Sequence, residues 1–148
     1  MKAKYIYEKF TQDSDPIKDM NIGMIAIIKD FFKNIIASDN FSSMGQAVSK
    51  DVNDIDNLLI MSVETSKYDF VECLLTMGAD IHTHGETNHL EDVPLRYAIF
   101  NNDITMIDLL LKYDANILKA IDKHELHHSM LGEETVKHVK KILKKQKL

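Results

Sequence analysis

Histidines are the residues of this chain with the widest chemical reach, and they fall in two groups. His82 and His84 are one residue apart with His89 following, while His124, His127 and His128 gather around Glu125. Neutral imidazoles beside a carboxylate are ligands that zinc accepts, but a site needs three or four of them at converging positions. Here no pair of cysteines, no His-Glu-x-x-His and no calcium-loop spacing completes a set. The expectation is therefore histidine-bearing loops, with no metal and no cofactor. The one cysteine, Cys73, has no partner for an internal disulfide and falls at an apolar helical position, so it reads as a small core residue. Adjacent acids such as Glu91-Asp92 and Glu133-Glu134 carry no sign of a pocket that would separate their pKa values. Five glycines form no phosphate loop, dinucleotide fingerprint or Gly-x-Ser-x-Gly elbow. No catalytic residue emerges, and the chain does not read as an enzyme.

The scaffold that must carry these loops is bounded by length and charge. A chain of 148 residues with 45% apolar and 28% charged side chains has the composition of a globular protein. It suits one domain or about four helical repeats of ~33 residues. No run of 18 apolar residues is present, so no membrane-spanning helix is expected. Tyr5-Ile6-Tyr7 passes directly into Glu8-Lys9 without a signal-peptide core, so an intracellular, cytoplasmic protein is expected. Net charge is -5, unevenly placed. The last twelve residues hold six lysines and no acid, leaving 12 basic against 23 acidic side chains in residues 1–136. An acidic body disfavours direct nucleic-acid binding and suits a protein partner with a basic or mixed surface. Arg96 is the only arginine among 18 basic residues. Lysine-, isoleucine- and asparagine-rich usage fits an A+T-rich genome, such as those of some bacteria, phages and large DNA viruses.

Residues 57–81 and 93–117 superimpose at a constant offset of 36. Leu59 falls on Leu95, Val63 on Ile99, Val71 on Ile107, Leu74-Leu75 on Leu110-Leu111, Ala79 on Ala115 and Ile81 on Ile117. Each copy reads as two short helices and a turn, Asn57 to Thr65 and Asp69 to Met77 in the first. Gly78, and less ideally Asp114, suits the left-handed residue that ends a helix. Helices this short are not stable alone, so packing between them must supply the stability.

The second helices end as Cys73-Leu74-Leu75-Thr76-Met77-Gly78-Ala79-Asp80-Ile81 and Leu109-Leu110-Leu111-Lys112-Tyr113-Asp114-Ala115-Asn116-Ile117, and one first helix opens Val93-Pro94-Leu95-Arg96. In these residues the chain resembles the ankyrin repeat family. The threonine and histidine of that family's opening motif are absent from both copies. The resemblance implies an all-α fold, a short helical repeat stack with helical N- and C-terminal caps. Residues 1–53 would form the N-terminal cap and connector, 54–118 two repeats, and 119–148 a degenerate capping repeat. In the last of these, Glu125 to Leu131 would be the first helix, Gly132 the turn, and a lysine-rich helix from Glu133 the second. At the other end Asp15-Pro16 marks a helix start, and Ile22 to Ile36 reads as a helix with a wide apolar face covered on more than one side. Ser38 to Asn53 reads as a looser connector.

Ankyrin-type repeats usually meet partners through their connecting fingers and first helices. Carried onto matched positions, this implies Met61, Glu64 and Thr65 in one copy, Tyr97, Phe100 and Asn101 in the next, and a finger from Ile81 to Val93. Met61, Tyr97 and Phe100 would supply an apolar centre, with His82, His84, Glu86, His89, Glu91 and Asp92 as a polar rim. The alternative for Tyr97 and Phe100 is that they fill the gap between repeats. The leading functional expectation is a protein–protein interaction module, an adaptor or inhibitor that occupies a partner surface, virus- or phage-encoded against a host factor if the composition is a guide. A second is an acidic mimic of nucleic acid, since only Lys67 and Arg96 oppose twelve acids in residues 51–110. A third is a self-associating structural subunit.

Overall fold

The computed structural model describes residues 16–37, 54–85, 87 and 89–146. Among these there are helices and no strand: α1 (Pro16–Ala37), α2 (Ile55–Glu64), α3 (Tyr68–Thr76), α4 (Val93–Phe100), α5 (Ile104–Lys112), α6 (Ile117–Ala120), a 3₁₀ turn (Lys123–His127) and α7 (Glu133–Gln146). The protein is all-α. The chain divides into two compact units, residues 1–80 and 81–148. The connector expected over Ser38 to Asn53, and Glu86, lie outside the described residues.

In the first unit α2 and α3 form an antiparallel-type helix pair joined by a tight turn. Asp54 starts α2 by accepting the Asp56 N–H at 2.9 Å, relieving one of the donors that every helix N-terminus leaves unpaired. The helix stops at Thr65, because Ser66 turns left-handed at φ 56°. The Ser66 N–H then reaches the Val63 carbonyl and the Lys67 N–H the Ser62 carbonyl, the two bonds of a Schellman ending. Gly78, at φ 100°, ends α3 the same way, with its N–H on Leu75 and that of Ala79 on Leu74. Leu58, Leu59, Val63, Val71 and Leu74 are wholly buried.

The long helix α1 packs on α2 and α3. Its contact is aromatic: Phe31 and Phe32 meet Phe70 of α3 edge-on, with ring centroids 5.3 and 6.2 Å apart, an orientation the ring quadrupoles favour. Lys67 sits over the Phe31 ring at 5.0 Å, capping the cluster with a cation–π contact. Of the face expected over Ile22 to Ile36, Ile28 and Phe32 are buried, Phe31 is half-buried and Ile27 is 57% exposed, while the side chains of Ile22, Ile35 and Ile36 lie outside the described ones.

The second unit repeats the helix pair. Each boundary of α5 lies 36 residues after that of α3, and each left-handed residue recurs: Asn102 at φ 57° for Ser66, Asp114 at φ 70° for Gly78. The four Schellman bonds recur with them, Asn102 to Ile99, Asp103 to Ala98, Asp114 to Leu111 and Ala115 to Leu110. Pro94 stands in the first turn of α4, where a missing N–H costs nothing. In both pairs the first leucine of the doublet faces inward. Leu74 and Leu110 are wholly buried, whereas Leu75 and Leu111 are only half-buried.

The segment after α5 departs from expectation. No helix spans Glu125 to Leu131. Asn116 caps a helix earlier, its Oδ1 accepting the Leu118 N–H at 3.0 Å, and Ile121 ends it in extended backbone. Asp122 and Glu125 then close a reciprocal capping box that holds only the 3₁₀ turn. Asn102 fastens the following loop, with its side-chain amide donating to the Met130 carbonyl at 2.9 Å and its Oδ1 accepting the Gly132 N–H at 2.6 Å. Helix α7 starts at Glu133 and buries Thr135, Val139 and Leu143. Val139, 32 residues after Ile107, is buried like it, but Leu143 is buried where Leu111, 32 residues before it, is half-buried, so the buried stripe is rotated relative to that of α5.

Candidate binding surface

The finger, residues 81–92, belongs to the second unit, and its described residues form no strand. Its base is closed by the Val93 N–H on the Thr83 carbonyl at 3.1 Å, and its tip turns where Thr87 Oγ1 donates to the His84 carbonyl at 2.6 Å. His84, His89 and Glu91 project into solvent. Together with Leu90 they form one wall of an open cleft of about 510 Å³, within the size range of small ligand sites. The rest of its lining comes from Arg96, Lys119, Ile121, Asp122, His124 and Glu125.

Arg96 organises this cleft. Its Nη1 donates to Glu125 Oε1 at 3.0 Å and its Nη2 to Oε2 at 2.6 Å, a two-pronged pairing of planar groups that lysine cannot reproduce. Nη1 also reaches the Ala120 carbonyl at 3.3 Å, and the guanidinium stacks over the Phe100 ring at 4.8 Å. Both charged groups are about four-fifths covered. The Arg96 guanidinium holds the Glu125 carboxyl down at about 2, against the opposing effect of burial and with help from the Asp122 N–H. At the rim Lys119 stands 3.8 Å from Glu91, both well exposed, a pair worth little to stability.

Several expected contact residues are placed otherwise. Met61 is wholly buried, not outward: Asn57 to Val63 are seven consecutive buried residues, so no face of α2 there is left to solvent. Thr65 turns its hydroxyl back to the Met61 carbonyl at 2.9 Å, and Glu64 is half-buried. Asp92 is not a rim acid. It is wholly buried at φ 47°, and its carboxylate meets His82 Nδ1 at 3.0 Å and accepts the Asn116 N–H. A buried carboxylate persists only when paired in this way. Tyr97 and Asn101 are half-buried. Phe100 is half-buried between the Arg96 guanidinium and the ring of His128, 5.4 Å away edge-on, and so fills a gap inside the unit.

The histidines divide the same way. His84, His89 and His124 share the cleft, whereas His128 packs on Phe100 with its Nδ1 accepting the Met130 N–H. Among the described residues no three histidine, cysteine or acidic side chains converge on a metal position. Sequence reasoning left Lys119 and Asp122 unnamed, weighed Glu125 only beside the histidines as a metal ligand, and gave Arg96 no part in a binding surface. One signal was present, since a lone arginine in a lysine-rich chain marks a site where a planar fork is needed. Set against family models, curated proteins and solved structures, the chain matches none.

Proposed function

We propose that this protein is a protein–protein interaction module of the ankyrin type, acting by occupying a partner surface. The observation that carries the reading is the finger. Its base and tip are fixed by backbone bonds, yet His84, His89 and Glu91 are turned outward over a cleft of mixed charge. An exposed, polar loop followed in the next helix by the half-buried Tyr97 has the composition of an interface rim with a small anchor. The partner surface complementary to it is polar and of mixed sign, with cationic groups meeting Glu91 and Asp122. What weighs against the acidic-mimic alternative is the loss of its acids: of those in residues 51–110, Asp92 and Glu72 are buried.

The test begins with affinity capture from the native host and continues with calorimetry on the purified pair. Glu91→Lys, His89→Ala and Tyr97→Ala should each weaken a one-to-one complex, Tyr97→Ala by about 2 kcal/mol as for interface anchors, with unchanged circular dichroism. Unchanged affinity in all three variants would exclude the finger as the contact surface. A steep loss of affinity with salt would favour the mimic.

A further inference from the structure

A second cleft lies on another side of the same unit and has opposite character. The 3₁₀ turn and α7 enclose about 580 Å³ over a floor of Leu126 and Leu143, and the rim carries Lys123, Lys140, Lys141 and Lys144. All four lysines are exposed, and none makes an ion pair among the described residues. Three other cations of the described chain are engaged: Arg96 pairs with Glu125, Lys119 approaches Glu91 and Lys67 caps Phe31. Four unneutralised cations around an apolar floor raise a local positive potential that only an anionic partner relieves.

The geometry points to this cleft as a docking site for an acidic peptide segment with an apolar anchor, which we infer from charge complementarity and from what the helix has already spent. Lys137, Lys140, Lys141, Lys144 and Lys145 recur at i, i+3, i+4, i+7 and i+8, which sets them along one side of α7 over roughly 12 Å. An array of that length matches several carboxylates in succession better than the single head of a small ligand. A membrane surface fits less well, because interfacial helices bind by burying their apolar face in lipid. Here Val139 is wholly buried, and Leu143 shows only the small edge that floors the cleft, so the helix has no apolar face to lay into lipid. A phosphate backbone also fits less well. His127 is the one ring in the lining, with no Phe, Tyr or Trp to build a stacking platform for successive bases, and Glu133 and Glu134 stand exposed at the start of the same helix. The site is independent of the finger and of the function proposed for it.

The test is fluorescence anisotropy on the full chain with four probes: a labelled peptide of about twelve residues, glutamate-rich with two leucines at i, i+4 spacing, the same peptide with serine for leucine, a thymidine oligonucleotide, and phosphatidylserine-containing vesicles. The leucine peptide should bind saturably, and at least tenfold more tightly than the serine peptide. K140E/K144E should lower that affinity at least tenfold, K140Q/K144Q by less, and Lys112→Glu by under twofold. Circular dichroism and thermal melting establish that each variant is folded, and the glutamine pair carries the test if the glutamate pair unfolds. Equal binding of both peptides, tighter binding of the oligonucleotide or vesicles, absence of saturation, or indifference to both double variants would each overturn the assignment.

Discussion

Asp92 accepts a hydrogen bond from the backbone N–H of Asn116, 24 residues further on, and Asp56 does the same for the N–H of Asp80, also 24 residues on. The two ties are related by the offset of 36 that relates the helix pairs. Each joins the acid at the head of a first helix to the turn that follows the second. That N–H lies beyond the helix ladder, and the carboxylate accepts it.

Removing the tie should cost more where it is buried. Asp92→Ala should destabilise the protein by roughly 1.5–3 kcal/mol, the range for buried bonds to a charged group. Asp56→Ala, at the half-buried counterpart, should cost roughly 0.5–1.5 kcal/mol. Urea unfolding of the two variants measures the difference, and equal losses would show that burial does not set the strength of the tie.

The leucine doublets make a second comparison. Leu74→Ala and Leu110→Ala, at wholly buried sites, should each cost about 2–5 kcal/mol. Leu75→Ala and Leu111→Ala should cost distinctly less, because part of each side chain is already in water. Chemical denaturation that ranks them in the reverse order would mean that the helices are rotated by about a quarter turn.

Helix endings offer a stabilising change. Ser66 sits at φ 56°, a conformation that asparagine and glycine tolerate better than serine, and its counterpart is Asn102. Ser66→Gly should raise the melting temperature, with a gain of up to about 1 kcal/mol. Asn102→Gly keeps the backbone but releases Met130 and Gly132, and should lower stability. Calorimetric scans with both shifts of one sign would contradict the assignment.

Acid stability should follow Glu125. Its carboxyl is held at about 2 in the folded protein against an ordinary value of 4.5. A depressed folded value means that the contribution is fully present above pH 4.5 and is lost as pH falls toward 2. Arg96→Met should bring the Glu125 titration, followed by carboxyl NMR, back toward its ordinary range and flatten the stability curve in that window.

Burial raises the Cys73 thiol to about 11, and its side chain lies against Met77 with sulfur atoms 3.9 Å apart. A protonated, covered thiol is a poor nucleophile. Ellman's reagent should therefore react with native protein at least ~100-fold more slowly than in urea, at a rate set by local opening. Rapid labelling of the native chain would place Cys73 at the surface.

The helix pairs were legible because both copies keep apolar residues where the chain is wholly enclosed, Leu59 with Leu95, Val63 with Ile99, Val71 with Ile107. What periodicity could not resolve is a helix without an outward arc. Met61 follows Leu58, Leu59 and Ile60, and such a run is compatible with complete burial as well as with an exposed edge. Asp92 was misplaced because its main partner is a backbone N–H, which a sequence does not display. Arg96 and Glu125 are 29 residues apart, and the turn joining them depends on the Asp122 capping box. The cleft therefore became visible only in three dimensions, although its one arginine stood out in the composition.

The two carboxylate ties enclose residues 56–80 and 92–116, so residues 84–91 close neither helix pair. Lengthening such a loop costs only about 0.6 kcal/mol per doubling. The finger tip can thus be recut, extended or randomised while each helix pair stays latched by its own aspartate. Residues 84–91 are therefore a stretch whose sequence can be exchanged while the bonds that define each helix pair stay in place.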